Sequence, residues 1–235
     1  MARVAKIDNA VKKRFSREEK KRKENTRTKL VYFLIVCEGS KTEPNYFLAL
    51  EKELPFGTVE LRIDGVGRNT IGLVEYAIKQ RDNACRSFDR VWVVFDKDDF
   101  PEANFNNAIL KAESNNINCA WTNEAFELWF LLHFQFVNTG MNREDYKSYL
   151  EREIQKKSGD ANYRYLKNDA NTYSILITYG NQEQAVEWAK QLVAKYPSQR
   201  YATHNPCTRV HELIEELKNP QEVLNRIENS DTEKD

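Results

Sequence analysis

Apolar residues along the chain form short continuous runs that alternate with segments of helical spacing. Residues 30–37 and 91–95 are uninterrupted apolar runs rich in β-branched and aromatic side chains, a pattern typical of strands buried on both faces. Residues 59–63 and 117–121 indicate two further strands. Helical spacing fills the intervals between the strands, over residues 44–54, 69–78 and 101–114. Strands that alternate with helices predict an α/β fold with a mostly parallel sheet flanked by helices.

The pattern becomes mainly helical after residue 123. Residues 126–134 are apolar on all sides and predict a buried helix, whereas the remaining segments are polar or amphipathic. These remaining segments cover residues 143–156, 182–196 and 208–217. We therefore predict an α/β core over residues 30–135 and a largely helical part, packed on that core, over residues 136–228. Residues 229–235 are polar and predict a disordered tail.

Composition excludes several classes of protein. Hydrophobic residues make up 40% of the 235 residues, which is enough for a core. The longest apolar run has 8 residues, far fewer than the roughly 20 that span a bilayer. The four cysteines show no metal-binding spacing and predict reduced thiols in a cytoplasmic protein without a membrane partner.

The neutral overall charge hides a basic N-terminal arm at residues 1–29. Residues 1–30 contain twelve Lys or Arg against four acidic residues, although the whole chain has 36 of each sign. The arm is either a solubilising tail or a segment that neutralises nucleic-acid phosphates. For the second alternative the candidate binding residues are Lys12, Lys13, Arg14, Lys20, Lys21, Arg22 and Lys23.

Acidic residues follow two of the predicted buried strands. Glu38 and Glu43 come after the first apolar run, and Asp96, Asp98 and Asp99 come after the run at 91–95. Functional sites of parallel sheets lie at the carboxyl ends of strands, so adjacent strands would bring these carboxylates into one cleft. Mg²⁺ or Mn²⁺ would offset their mutual repulsion.

Structural alternatives remain for these acids. Glu38 and Gly39 also fit an ordinary turn, and Asp99 with Glu102 fits a capping box at the start of the next helix. Glu127 lies among apolar residues, where an ionised carboxylate is costly. Its structural interpretation is a buried salt bridge or a position on an exposed stripe of the helix. Its functional interpretation is an accessory acid of a metal site.

Three basic residues are further candidates for contact with phosphate. Lys41 lies in the turn after the first strand. Arg209 and His211 lie at the start of the last predicted helix, where they either bind a phosphate or simply belong to the helix start. The chain has no G-x-x-x-x-G-K-[ST] loop and is not expected to hydrolyse ATP through one.

Four motifs in this order resemble the RloB family of bacterial proteins. They are V-C-E-G-S-K-T-E-P-N-Y-F, V-V-F-D-K-D-D, N-E-A-F-E-L-W-F-L-L-H-F and N-P-C-T-R-V-H-E-L. The resemblance implies a toprim-like domain related to overcoming-lysogenization-defect nucleases, with Mg²⁺-dependent phosphoryl chemistry. By that resemblance Glu38 matches the toprim glutamate, Asp96 and Asp98 match its D-x-D motif, and Glu43 matches a second acid of some nuclease relatives. It also implies a role in anti-phage defence beside an ATPase partner.

Three hypotheses for function follow. The first is a nuclease in which Glu38, Asp96 and Asp98 are catalytic and bind Mg²⁺ or Mn²⁺, with Glu43 and Asp99 as further ligands. Both RNA, including tRNA, and DNA are possible substrates. The protein could also form a homo-oligomer. The second is a non-catalytic sensor or adaptor that binds nucleic acid or a partner protein. The third is a nucleotidyl-transferring or nucleotide-hydrolysing enzyme that uses the same acids.

Overall fold

A computed structural model describes residues 29–97 and 101–232, with the side chains of residues 230–232 left aside. Five strands of this part of the chain form one sheet in the order β2-β1-β3-β4-β5. The pairings among the first four strands are parallel, and β5 runs antiparallel to β4. The strands are β1 (Val31–Cys37), β2 (Val59–Gly65), β3 (Arg90–Asp96), β4 (Asn118–Asn123) and β5 (Cys207–Thr208).

Helices connect the parallel strands and make up most of the C-terminal half. The first three, which follow β1, β2 and β3, are α1 (Thr42–Glu51), α2 (Thr70–Asp82) and α3 (Glu102–Ser114). The helices after β4 are α4 (Glu127–Leu131), α5 (Arg143–Ser158), α6 (Thr172–Tyr179), α7 (Gln182–Ala194), α8 (Val210–Lys218) and α9 (Pro220–Thr232). The predicted α/β class, the mostly parallel sheet and the helical C-terminal half are thereby confirmed.

The sheet is covered on both faces, which explains the continuous apolar runs of its central strands. Side chains alternate along β1, so Leu34 and Val36 pack with α2 and α3 while Phe33 and Ile35 pack on the other side. That second side is covered by α1 and by helices of the C-terminal half. The C-terminal half therefore shares a core with the sheet.

Two local expectations differ from the structure. The buried helix expected over residues 126–134 ends at Leu131, where the chain tightens into turns in which His133 N and Phe134 N donate to carbonyls three residues back, Phe130 O and Leu131 O. The capping box of Asp99 and Glu102 does not fit, because α3 begins at Glu102 with Pro101 at its N-cap. Asp99 itself lies outside the described residues.

The chain also has a final helix that the hydrophobic pattern did not predict. Helix α9 reaches Thr232 and includes residues 229–232 of the expected tail. Val223 is buried, and Leu224 and Ile227 pack against the core at helical spacing. A short apolar stripe therefore holds an otherwise polar segment on the protein. No helix among the described residues is long and apolar enough to cross a membrane.

Candidate functional site

The carboxyl ends of β1 and β3 bring two of the predicted acids together. The two strands are neighbours, and Glu38 N continues their ladder by donating to Val94 O at 2.9 Å. The Asp96 backbone N–H in turn donates to the Glu38 carboxylate, with 3.2 Å between N and Oε2. Glu38 and Asp96 therefore share one edge of the sheet, as expected from their positions after two buried strands.

Glu43 joins this pair from the first turn of α1. Its side chain is only 6% exposed. The Glu43 carboxylate can lie here because residue 39 is a glycine, since a Cβ atom at residue 39 would overlap that carboxylate. The glycine after Glu38 thus allows the close approach of a carboxylate.

The environment of these acids disfavours their ionised forms. Burial raises the pKa of Asp96 well above its usual range, and the charges of Glu43 and Glu127 raise it further. Burial is also the main cause of the raised pKa of Glu43, to which Glu127 contributes. The Arg143 guanidinium opposes both effects and lies 3.6 Å from Asp96, measured from Nη2 to Oδ2.

Two carboxylate oxygens at this edge fit a hard cation. Asp96 Oδ1 and Glu43 Oε2 are buried and have no hydrogen-bond donor among the residues that the structure describes. Mg²⁺ commonly takes one or two carboxylates and keeps several waters, so this donor set is chemically suitable. Within the ranges 29–97 and 101–232, however, no three His, Cys, Asp or Glu side chains converge closely enough to hold a metal ion. The predicted ligands Asp98 and Asp99 lie outside those ranges.

Glu127 faces the same acids and has a neutral partner. It is 7% exposed and accepts a hydrogen bond from the Tyr165 hydroxyl at 3.1 Å. Burial followed by the charge of Glu127 raises the pKa of Tyr165, so the phenol stays protonated and donates. Neither structural alternative fits, because Glu127 is not exposed and forms no salt bridge with a described residue.

Of the predicted basic residues that the structure describes, only Lys41 lies at this edge of the sheet. It is exposed just before α1. Arg209 lines a cleft with Asn118 and Cys119 at the amino end of β4, which is the opposite end of the sheet, and its Nε lies 2.7 Å from Glu212 Oε1. His211 is buried, and burial lowers its pKa to about 4, so it is uncharged at neutral pH.

The interpretation of Arg209 and His211 as a helix start therefore fits the structure better than the interpretation as a phosphate site. The basic candidates of the arm lie outside the described residues.

Three residues near the acids were not predicted as site residues. Arg143 begins α5, and Tyr165 and Lys167 lie in the connection between α5 and α6. The charge of Arg143 acts on Asp96 and Glu43, and that of Lys167 acts on Glu43. The Tyr165 hydroxyl donates a hydrogen bond to Glu127. No motif marks them in the sequence, because only the packing of the helical part on the sheet brings them to the acids.

The protein is thus an α/β protein with acidic residues at adjacent carboxyl ends of its parallel strands, the edge at which open α/β sheets bind their ligands. A comparison with family models matches residues 33–217 to the family described as RloB-like protein. This match covers most of the chain, so the protein belongs to the RloB-like family. Comparisons with curated proteins and with solved structures give no match.

Proposed function

We propose that this protein is a metal-dependent nuclease of the toprim type. The observation that carries the proposal is the pair of buried oxygens beside Glu38, Asp96 Oδ1 and Glu43 Oε2, which have no hydrogen-bond donor among the described residues. Burial of carboxylate oxygens without a donor is costly, and such sites are a recurring feature of catalytic and metal centres. When bound, Mg²⁺ or Mn²⁺ would supply positive charge for the scissile phosphate and an acidified water.

The residues at the edge would then have separate roles. Glu38 and Asp96 would hold the ion, with Glu43 and the aspartates at positions 98 and 99 as further ligands. Glu127, held by the Tyr165 hydroxyl, would accept a hydrogen bond from the attacking water. Lys41, exposed at the start of α1, is available to contact phosphate. This division of roles follows from donor chemistry and burial.

The biological setting of this proposal rests on the family resemblance. We propose RNA, tRNA included, or DNA as the substrate, an ATPase as the partner protein, and anti-phage defence in the bacterial cytoplasm as the role. Four cysteines without a disulfide among the described residues fit a reducing compartment.

One observation favours a second candidate function. Arg143 Nη2 lies 3.6 Å from Asp96 Oδ2 and gives this carboxylate an internal counter-charge. A cluster neutralised by the protein itself could serve a non-catalytic adaptor that binds nucleic acid or a partner protein.

The two functions are separated by incubating the full chain with RNA, tRNA and DNA in Mg²⁺, in Mn²⁺ and in EDTA. A nuclease cleaves at least one substrate with metal and none in EDTA. Glu38→Gln and Asp96→Asn should each abolish cleavage, whereas Glu183→Gln, an exposed acid at the start of α7, should not. Cleavage in EDTA, or full activity of both variants, contradicts the nuclease proposal. Metal-independent binding without any cleavage supports the adaptor.

A further inference from the structure

A cleft of about 180 Å³ opens beside the acidic edge, between the start of α5 and residues 165–167. Glu127 and Tyr165, which are hydrogen-bonded to each other, form its inner part. Arg143 lines the cleft and also lies 3.6 Å from Asp96. The cleft therefore begins one side chain away from the carboxylates of the candidate site.

The rim of the cleft is basic. Lys147 projects from α5 and Lys167 from the opposite wall, and both side chains are exposed. Neither lysine forms an ion pair with any residue that the structure describes. The charge of Lys167 nevertheless lowers the pKa of Glu43, so its field extends to the acidic edge. Two exposed ammonium groups that face one cleft are suited to a shared anion.

The other residues that line the cleft indicate which anion it suits. Because Glu144 is among them, the cleft has only slightly more cationic than acidic side chains. Binding of an anion would therefore depend on its direct contact with the two lysines. Leu166 lines the cleft as well, as an exposed apolar residue that is 63% accessible. An apolar surface beside ammonium groups matches a phosphate that carries a sugar and a base.

We propose that this cleft binds a backbone phosphate of a nucleic-acid strand next to the scissile phosphate, through Lys147 and Lys167. Leu166 would contact the sugar or base attached to that phosphate. The inference rests on the proposed function, because it treats the acidic edge as the position of the scissile bond. It adds a substrate-positioning subsite formed by the α5–α6 connection, which the sequence motifs do not include.

Binding without catalysis tests the cleft directly. The full chain is titrated in EDTA with a fluorescent single-stranded 12-nucleotide RNA, and with DNA of the same sequence, at several salt concentrations. Lys147→Gln with Lys167→Gln should raise Kd about tenfold at low salt. The slope of log K against log salt should fall by about 0.7, because the two lysines share one phosphate and each phosphate contact on a single strand contributes about 0.7.

The matched control is Lys156→Gln with Lys157→Gln, two exposed lysines in the last turn of the same helix. These changes remove the same charge from α5 but leave the cleft intact, and Kd should remain within about twofold. Equal weakening by the cleft and control pairs, or an unchanged salt slope in the cleft pair, overturns the subsite. So does a wild-type chain that binds neither oligonucleotide.

Cleavage assays separate this proposal from the nuclease proposal. If wild type cleaves with Mg²⁺ and the cleft pair cleaves with unchanged KM, the subsite is wrong while the nuclease function stands. If the cleft pair loses binding in EDTA as expected but wild type never cleaves, the cleft is supported as a nucleic-acid site and the nuclease function fails. A raised KM with little change in kcat supports both.

Discussion

Asp96 combines burial with nearby like charges, and both disfavour its ionised form. The residue is 9% exposed, one carboxylate oxygen has no donor among the described residues, and Glu43 and Glu127 add negative charge. A carboxyl group in this position weakens the metal-free fold whenever it is ionised. A carboxyl group in such a position is typical of functional sites, where a bound cation or a phosphate reaction compensates for the loss of stability.

The pH dependence of stability tests this view of Asp96. Its pKa in the folded chain is raised above the ordinary value of 3.8, so the folded state binds more protons than the unfolded state just above that value. Its contribution to stability therefore falls as the pH rises above about 4. In EDTA at pH 7.5, Asp96→Asn should raise Tm by about 2–4 °C, equivalent to about 1 kcal/mol for a chain of this size.

The increase in Tm for Asp96→Asn should vanish at about pH 3, below the ordinary pKa of 3.8, where the wild-type carboxyl is protonated in both the folded and the unfolded state. Glu183→Gln, which changes an exposed acid, serves as the control and should shift Tm by less than about 1 °C. A lower Tm for Asp96→Asn at pH 7.5 would mean that the ion pair with Arg143 outweighs the burial of the charge.

Glu127 offers a second test at the scale of a residue. Because its partner is the neutral Tyr165 hydroxyl, Glu127→Gln keeps an acceptor for that hydroxyl and should cost less than about 1 kcal/mol of stability. If Glu127 acts as an accessory acid, the variant should weaken Mg²⁺ affinity, measured through the Mg²⁺-dependent rise in Tm, or turnover, by about tenfold. Tyr165→Phe, which removes only the donor, should have the same direction of effect.

Melting curves of Glu127→Gln with and without Mg²⁺ give both its loss of stability and its response to Mg²⁺. A loss of about 3 kcal/mol in Glu127→Gln, with an unchanged response to Mg²⁺, would instead indicate a buried ion pair with a residue outside the described ranges.

At the scale of elements, the parts that periodicity encodes could be predicted from the sequence. The buried runs at 30–37 and 91–95 became β1 and β3, because strands covered on both faces are apolar at every position. That success also located Glu38 and Asp96, since their positions follow directly from the strand ends. The site residues taken from the C-terminal half could not be predicted this way.

Arg143 and Tyr165 show why site residues of the C-terminal half could not be predicted from periodicity. Their role depends on how α5 and the segment after it pack on the sheet, and that packing has no short-range signal. Helix α9 was missed for a related reason, because it carries few apolar residues in a polar segment, and they become informative only once the core they contact is known.

Helix α9 gives the prediction at this scale. Val223 is 1% exposed, so Val223→Ala leaves a cavity and should lower the free energy of unfolding by about 2 kcal/mol. Asn225→Ala, at an exposed position of the same helix, should change it by less than about 0.5 kcal/mol. Urea denaturation measures both. If the two variants are equally stable, α9 does not contribute to the core.

At the scale of the whole molecule, charge divides the chain into a basic N-terminal segment and an acidic remainder. Residues 1–30 hold twelve of the 36 basic residues and only four of the 36 acids. In the remainder, buried carboxylates lie at the edge formed by β1 and β3, with lysines at the neighbouring cleft. An acidic edge repels a polyanion, so under the proposed function nucleic-acid affinity would have to come from basic groups elsewhere.

Deleting residues 1–28 measures how much of that affinity the arm supplies. The first strand begins at Val31, whose N–H donates to Thr58 O at 3.0 Å, so the deletion leaves the sheet intact. The Tm should therefore change by less than about 2 °C. Affinity for single-stranded RNA and DNA in EDTA should fall, and the salt slope should flatten by more than the two cleft lysines account for, because more counterions are released by a longer basic segment.

Combining the deletion with the cleft variants Lys147→Gln and Lys167→Gln separates the two contributions to binding. If the arm supplies general affinity and the cleft positions the strand, the losses in binding free energy should add, because independent and distant contacts are additive. The deletion alone should then raise KM for cleavage while kcat stays within about twofold. An unchanged salt slope after the deletion would show that the arm does not contact nucleic acid, and the cleft would then account for the binding.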